Sequence, residues 1–209
     1  MAEIIEELRV TPVRKTRQED RFSDEVHEFF RIKLQTSGLD SQIECLARKA
    51  ILRDLTIGPF GKTKRWTYIF GFQQQDIIFT IRDRREKIPL LQQGRKDGLI
   101  AYHWIEAGQE SLIPPLLICE LKTPGSMNTH AFIVYGKIAE QIKSVYPFCA
   151  YYFILSSNKK RKLMAQTVYR QAKAFDRVYL DWENQKDQIW EDIRTHLVYL
   201  RDRAGILNG

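Results

Sequence analysis

The apolar run Leu116–Leu117–Ile118–Cys119 ends in Glu120-Leu121-Lys122 and is stopped by Thr123-Pro124-Gly125. Side chains at i and i+2 of a strand share a face, so Glu120 and Lys122 project together where a buried sheet meets its rim. Charges placed there cost free energy unless something pairs with them. The chain must therefore fold so that a buried strand ends at a polar centre. The occupant this pair suits is a metal ion with a phosphate; the plainer alternative is a salt bridge between rim charges. No other acid in the chain is followed two residues later by lysine.

Around this run the pattern predicts alternating elements. FSDEVHEFFRIKL (22–34) has helical periodicity, and SQIECLARKAILRDL reads as a second helix, with Ile43, Leu46, Ala47 and Ala50 at i, i+3, i+4 and i+7. GPFGK is a turn, and RWTYIFG and DIIFTIRD form a hairpin about Phe72–Gln75. GRKDGLIAYHWI and SLIPPLLICELKT are strands joined by EAGQE. A helix follows over AFIVYGKIAEQIKSVY, with Val134, Ile138, Ile142 and Val145 on one stripe. CAYYFILSS is a buried strand, and the basic NKKRK leads into a helix to about Phe175. RVYLDW is a short strand, and the segment from Lys186 to Arg203 is an amphipathic helix. This order predicts an α/β fold, a mixed central sheet flanked by helices. With no repeat, low-complexity tract or linker, 1–209 reads as a single domain, its first 21 residues a loosely held arm.

Composition narrows the function by exclusion. No apolar run is long enough to cross a bilayer and the N-terminus has no signal pattern, so a cytoplasmic protein without a membrane partner is expected. Cys45, Cys119 and Cys149 lie in apolar contexts without a CxxC pair and read as buried free thiols. The four histidines lack HxxxH or HExxH spacing, which argues against zinc hydrolysis; Gly-rich phosphate loops and GxSxG are absent too. A net charge of +7 hints at a polyanionic partner, with basic clusters at 14–17, 62–65, 82–87 and 159–162.

If the strands either side of EAGQE pair antiparallel about a turn between Gly108 and Gln109, Asp97 falls opposite Glu120. Asp97, Glu120 and Lys122 then converge at one end of a hairpin. Two adjacent carboxylates repel unless a divalent cation sits between them, and hard oxygen donors suit Mg²⁺. A lysine beside them can hold an attacking water and offset charge on a phosphate.

Asp97-Gly98 followed by Glu120-Leu121-Lys122 in an apolar strand, and then a helix, resembles the PD-(D/E)XK nuclease superfamily over about residues 39–156. Lys96 stands where proline often precedes the acid. The resemblance implies a restriction-endonuclease-like core in which Asp97, Glu120 and the Leu121 carbonyl bind Mg²⁺ and Lys122 positions the water. Glu44 is a candidate further acid; it equally suits an i,i+4 salt bridge to Arg48. The Gln and Tyr of RecB-like members are not matched, since Gln141 and Tyr146 are spaced differently. The implied function is a Mg²⁺-dependent endonuclease of double-stranded DNA, a type II restriction enzyme acting as a homodimer on palindromes. Lys96 and the cluster Lys159, Lys160, Arg161 and Lys162 would grip phosphates. The alternatives are a structure-specific repair or recombination nuclease, such as a junction resolvase, and a non-catalytic nucleic-acid-binding module.

Overall fold

The computed structural model describes residues 17–60, 65–82, 86–87, 100–103, 111–125, 129–157 and 172–202. Helix α1 (Arg17–Ser37) begins inside the stretch read as an arm. Phe22, Val26, Phe30 and Leu34, every fourth residue, form its buried stripe. A 3-10 turn, Leu39–Ser41, leads into β1 (Ile43–Phe60), which pairs antiparallel with β2 (Arg65–Ile81). The short strands β3 (Glu86–Lys87) and β5 (Ser111–Leu112) pair with each other, and β4 (Ile100–His103) runs parallel to the first half of β2. Next come β6 (Pro115–Lys122), α2 (Thr129–Val145), β7 (Ala150–Leu155), a 3-10 turn at Ala172–Ala174, β8 (Arg177–Tyr179) and α3 (Trp182–Asp202).

The main sheet has the order β1-β2-β6-β7-β8, with β4 also on β2. β6 is antiparallel to β2, while β7 and β8 are parallel to β6 and to β7 respectively. The expected mixed α/β architecture is therefore present, with helices on both faces. On one face α1 and α3 cover Ile77, Phe79, Leu117, Cys119, Leu121, Tyr152 and Ile154. Phe30 anchors that side, its ring edge-on to Phe79 and Trp182. On the other face α2 supplies Phe132, Ala139 and Ile142 against Ile78, Ile118, Tyr151 and Phe153. Among the described residues no helix is long and apolar enough to cross a membrane.

Three expectations are corrected. The run from Ile43 is a strand, not a helix. Ile43, Cys45 and Ala47 pack beneath α1, whereas Leu46 and Ile51 face α2. The face alternation changes across Arg48, whose backbone is left-handed (φ 52°) and whose guanidinium reaches Asp20 and Asp24 on α1. A strand buried on both faces, with its period broken once, imitates helical spacing. Second, the strands expected on either side of EAGQE, a turn outside the described residues, do not pair with each other where they are described. β4 pairs with β2, Ser111–Leu112 pairs with β3, and the antiparallel partner of β6 is the second half of β2. At 17 residues β2 is long enough to serve both neighbours, so it takes the place expected of the 96–104 run. Third, the buried stripe of α2 is rotated: Phe132, Ala139 and Ile142 lie inside, while Val134 is exposed.

Candidate active site

β6 carries the expected geometry at its end. Cys119 and Leu121 point under α1 and α3, so Glu120 and Lys122 emerge together on the α2 face. Both are buried, at 4% exposure each, and the carboxylate they meet belongs to β2: Asp76, at 2%. Ile77 pairs with Cys119, so the antiparallel register carries Asp76 alongside Glu120. Here the ladder departs from backbone pairing, because the Leu121 N–H donates to Asp76 Oδ2 at 2.9 Å. The side chain of Asp76 is thus held on β6 itself.

Three oxygens converge on one cation. Lys122 Nζ donates to Glu120 Oε1 at 2.5 Å and to the Leu121 carbonyl at 3.0 Å, and Asp76 Oδ2 lies 3.7 Å away. Behind the ammonium, 4.2 Å from Nζ, is the ring centroid of Tyr135 on α2, a cation–π contact. Burial works against the charged lysine, but the Glu120 carboxylate and Tyr135 outweigh it and hold the ammonium above the usual lysine range. The Tyr135 phenol is pushed up by burial and by the negative charge of Glu120. At β7, the Tyr151 hydroxyl stands 2.8 Å from Gln75 Oε1 and 3.4 Å from Glu120 Oε2; burial and Glu120 raise its phenol well above the tyrosine range.

Two carboxylates gathered around one ammonium in a buried place are costly unless their charge is compensated, and a divalent cation would contribute to that balance. The donors present are two carboxylates and a backbone carbonyl, all hard oxygens, already directed at a common cationic point. They fit magnesium, which takes one or two carboxylates and keeps waters in its remaining positions. Among the described residues no group of three or more His, Cys, Asp or Glu side chains is gathered as a metal cage.

Of the residues named from sequence, Glu120, Leu121 and Lys122 come together. Asp97, Lys96, Lys159, Lys160, Arg161 and Lys162 lie outside the described residues; the antiparallel neighbour of β6 among the described residues is β2. Glu44 lies on β1 opposite Thr80, four residues from Arg48, the residue that falls beside Asp76. At ~3.3 Å per residue that separation is roughly 13 Å along the strand. Arg48 reaches Asp20 and Asp24 on α1, and on a strand positions four apart are not the neighbours they would be on a helix. Asp76 was missed, though its signal resembles that of Glu120: a lone acid at the border of an apolar β-run, here Asp76-Ile77-Ile78-Phe79.

No protein-family model matches this sequence, and no curated protein does. Among solved structures, the chain is similar to a chain of the native BbvCI A2B2 tetramer, known at low resolution. The TM-score is 0.43 at 14% identity, over 78% of this chain and 60% of that one.

Proposed function

We propose that this chain is a Mg²⁺-dependent nuclease that hydrolyses phosphodiester bonds in double-stranded DNA, a type II restriction endonuclease acting as a homodimer. The observation that carries the reading is the convergence of Asp76, Glu120 and the Leu121 carbonyl on the ammonium of Lys122 at a buried sheet end. Asp76, Glu120 and the Leu121 carbonyl would hold the metal. Magnesium, when bound, supplies a Lewis acid for the phosphate and its attacking water. Lys122 donates N–H bonds to that water and offsets the charge growing on the phosphate oxygens. Tyr135 fixes the direction of the ammonium from behind. The sheet keeps bulk water from these charges, which strengthens each interaction. The net charge of +7 favours a polyanionic substrate.

The test is incubation of purified protein with plasmid and phage DNA in Mg²⁺, beside an EDTA control and the variants Lys122→Ala, Asp76→Asn and Asp97→Asn. Discrete fragments are expected from wild type and Asp97→Asn, with loss of at least about 100-fold in rate for Asp76→Asn and Lys122→Ala. Cleavage confined to branched DNA would replace restriction by a structure-specific role. Absence of cleavage on linear, supercoiled and branched DNA would overturn the nuclease reading.

A further inference from the structure

One oxygen of Glu120 is taken by Lys122; the other faces β7. There the Tyr151 hydroxyl, on a fully buried side chain, lies between Gln75 at 2.8 Å and Glu120 Oε2 at 3.4 Å. Gln75 is itself only 1% exposed. A phenol has one proton, so it cannot donate to both neighbours. An ionised carboxylate is the stronger acceptor, and with its amide turned Gln75 offers N–H to the phenol oxygen while the phenol donates to Glu120. Turning the amide gives up a long 3.4 Å bond from Gln75 Nε2 to the Gln73 carbonyl and sets two acceptor oxygens at that distance, a cost set against the gain of a phenol–carboxylate bond.

We propose that Gln75 and Tyr151 are positioning residues: a buried chain running Gln75 to Tyr151 to Glu120 that fixes the orientation of the Glu120 carboxylate toward a divalent cation. The inference rests on the metal-binding reading above and adds to it the residues that hold one ligand in place. Groups that orient a ligand in this way act on metal affinity by about 10- to 100-fold when removed. The cation itself touches neither of them.

Mn²⁺ binding to the full chain, followed by calorimetry and by electron paramagnetic resonance, tests this without relying on turnover. The variants are Tyr151→Phe, Gln75→Leu and the pair together. Tyr152→Phe serves as control, since that hydroxyl lies on the same strand but bonds the Asp192 carbonyl 3.4 Å away. The expected result is a dissociation constant raised about 10-fold in Tyr151→Phe, similarly in Gln75→Leu, and no further in the double variant, because both belong to one chain of bonds. Tyr152→Phe should bind as wild type does. Wild-type affinity in Tyr151→Phe, with melting temperatures confirming a folded protein, overturns this inference and leaves the nuclease reading intact. Failure of wild type to bind Mn²⁺ at all overturns both.

Discussion

The two faces of β6 are built from alternate residues of one strand, yet they are stabilised in different ways. Every residue from Pro115 to Lys122 is buried, so burial alone does not distinguish them. Leu117, Cys119 and Leu121 need only volume to fill, and α1 and α3 supply it. Glu120 and Lys122 need partners with the right charge and direction, and these come from three other elements: Asp76 on β2, Tyr135 on α2 and Tyr151 on β7. The apolar face can be served by many residues of similar size. The polar face depends on each member being present, because a buried charge left alone is far more costly than a small void.

That contrast can be broken most directly at Lys122. Lys122→Ala removes the only cation among the described residues that contacts both carboxylates, and in EDTA should cost about 3–5 kcal/mol of folding stability. Added Mg²⁺ should restore part of the loss by binding the folded state. Urea denaturation with and without Mg²⁺ measures both quantities. If the variant is as stable as wild type in EDTA, the polar face has no need of a cation and the comparison fails.

On the opposite face, Leu117→Ala should cost about 2–5 kcal/mol through the cavity it leaves, without changing the affinity for Mn²⁺. Leu117 is fully buried and belongs to the α1 and α3 side. A shift in metal affinity in that variant would mean that the two faces are coupled through the strand.

The smallest effect concerns pH. His196 on α3 bonds the Leu116 carbonyl at 3.2 Å, and burial holds its imidazole below the usual histidine range although that carbonyl, Asp176 and the Phe148 backbone pull the other way. Its neutral form is favoured in the folded chain. The stability it contributes is therefore complete above the usual histidine range and is lost as pH falls through that range toward the lowered value. Melting curves between pH 8 and pH 5 should show a small decline in stability, flattened in His196→Gln. An identical decline in that variant would assign the pH dependence to other groups.

Elements whose pattern is local were legible in the sequence. β7, β8, α2 and α3 appear where the runs CAYYFILSS, RVYLDW, AFIVYGKIAEQIKSVY and the segment from Lys186 predict them, although α3 starts earlier, at Trp182. The pairing of Glu120 with Lys122 was equally legible, since spacing of two along a strand is a property of the strand alone. β1 was not, because its alternation breaks at Arg48, where a left-handed backbone and the carboxylates of α1 redirect the chain.

The acid beside Glu120 was decided only by the tertiary structure. Sequence determined that an apolar strand ends in a carboxylate and a lysine on one face, and that this face needs a further partner. Asp76 fills that role because the second half of β2 pairs antiparallel with β6 and brings it alongside Glu120. Which strands become neighbours depends on how both faces of the whole sheet are covered. That balance of long-range burial sets the register, and the register selects the acid.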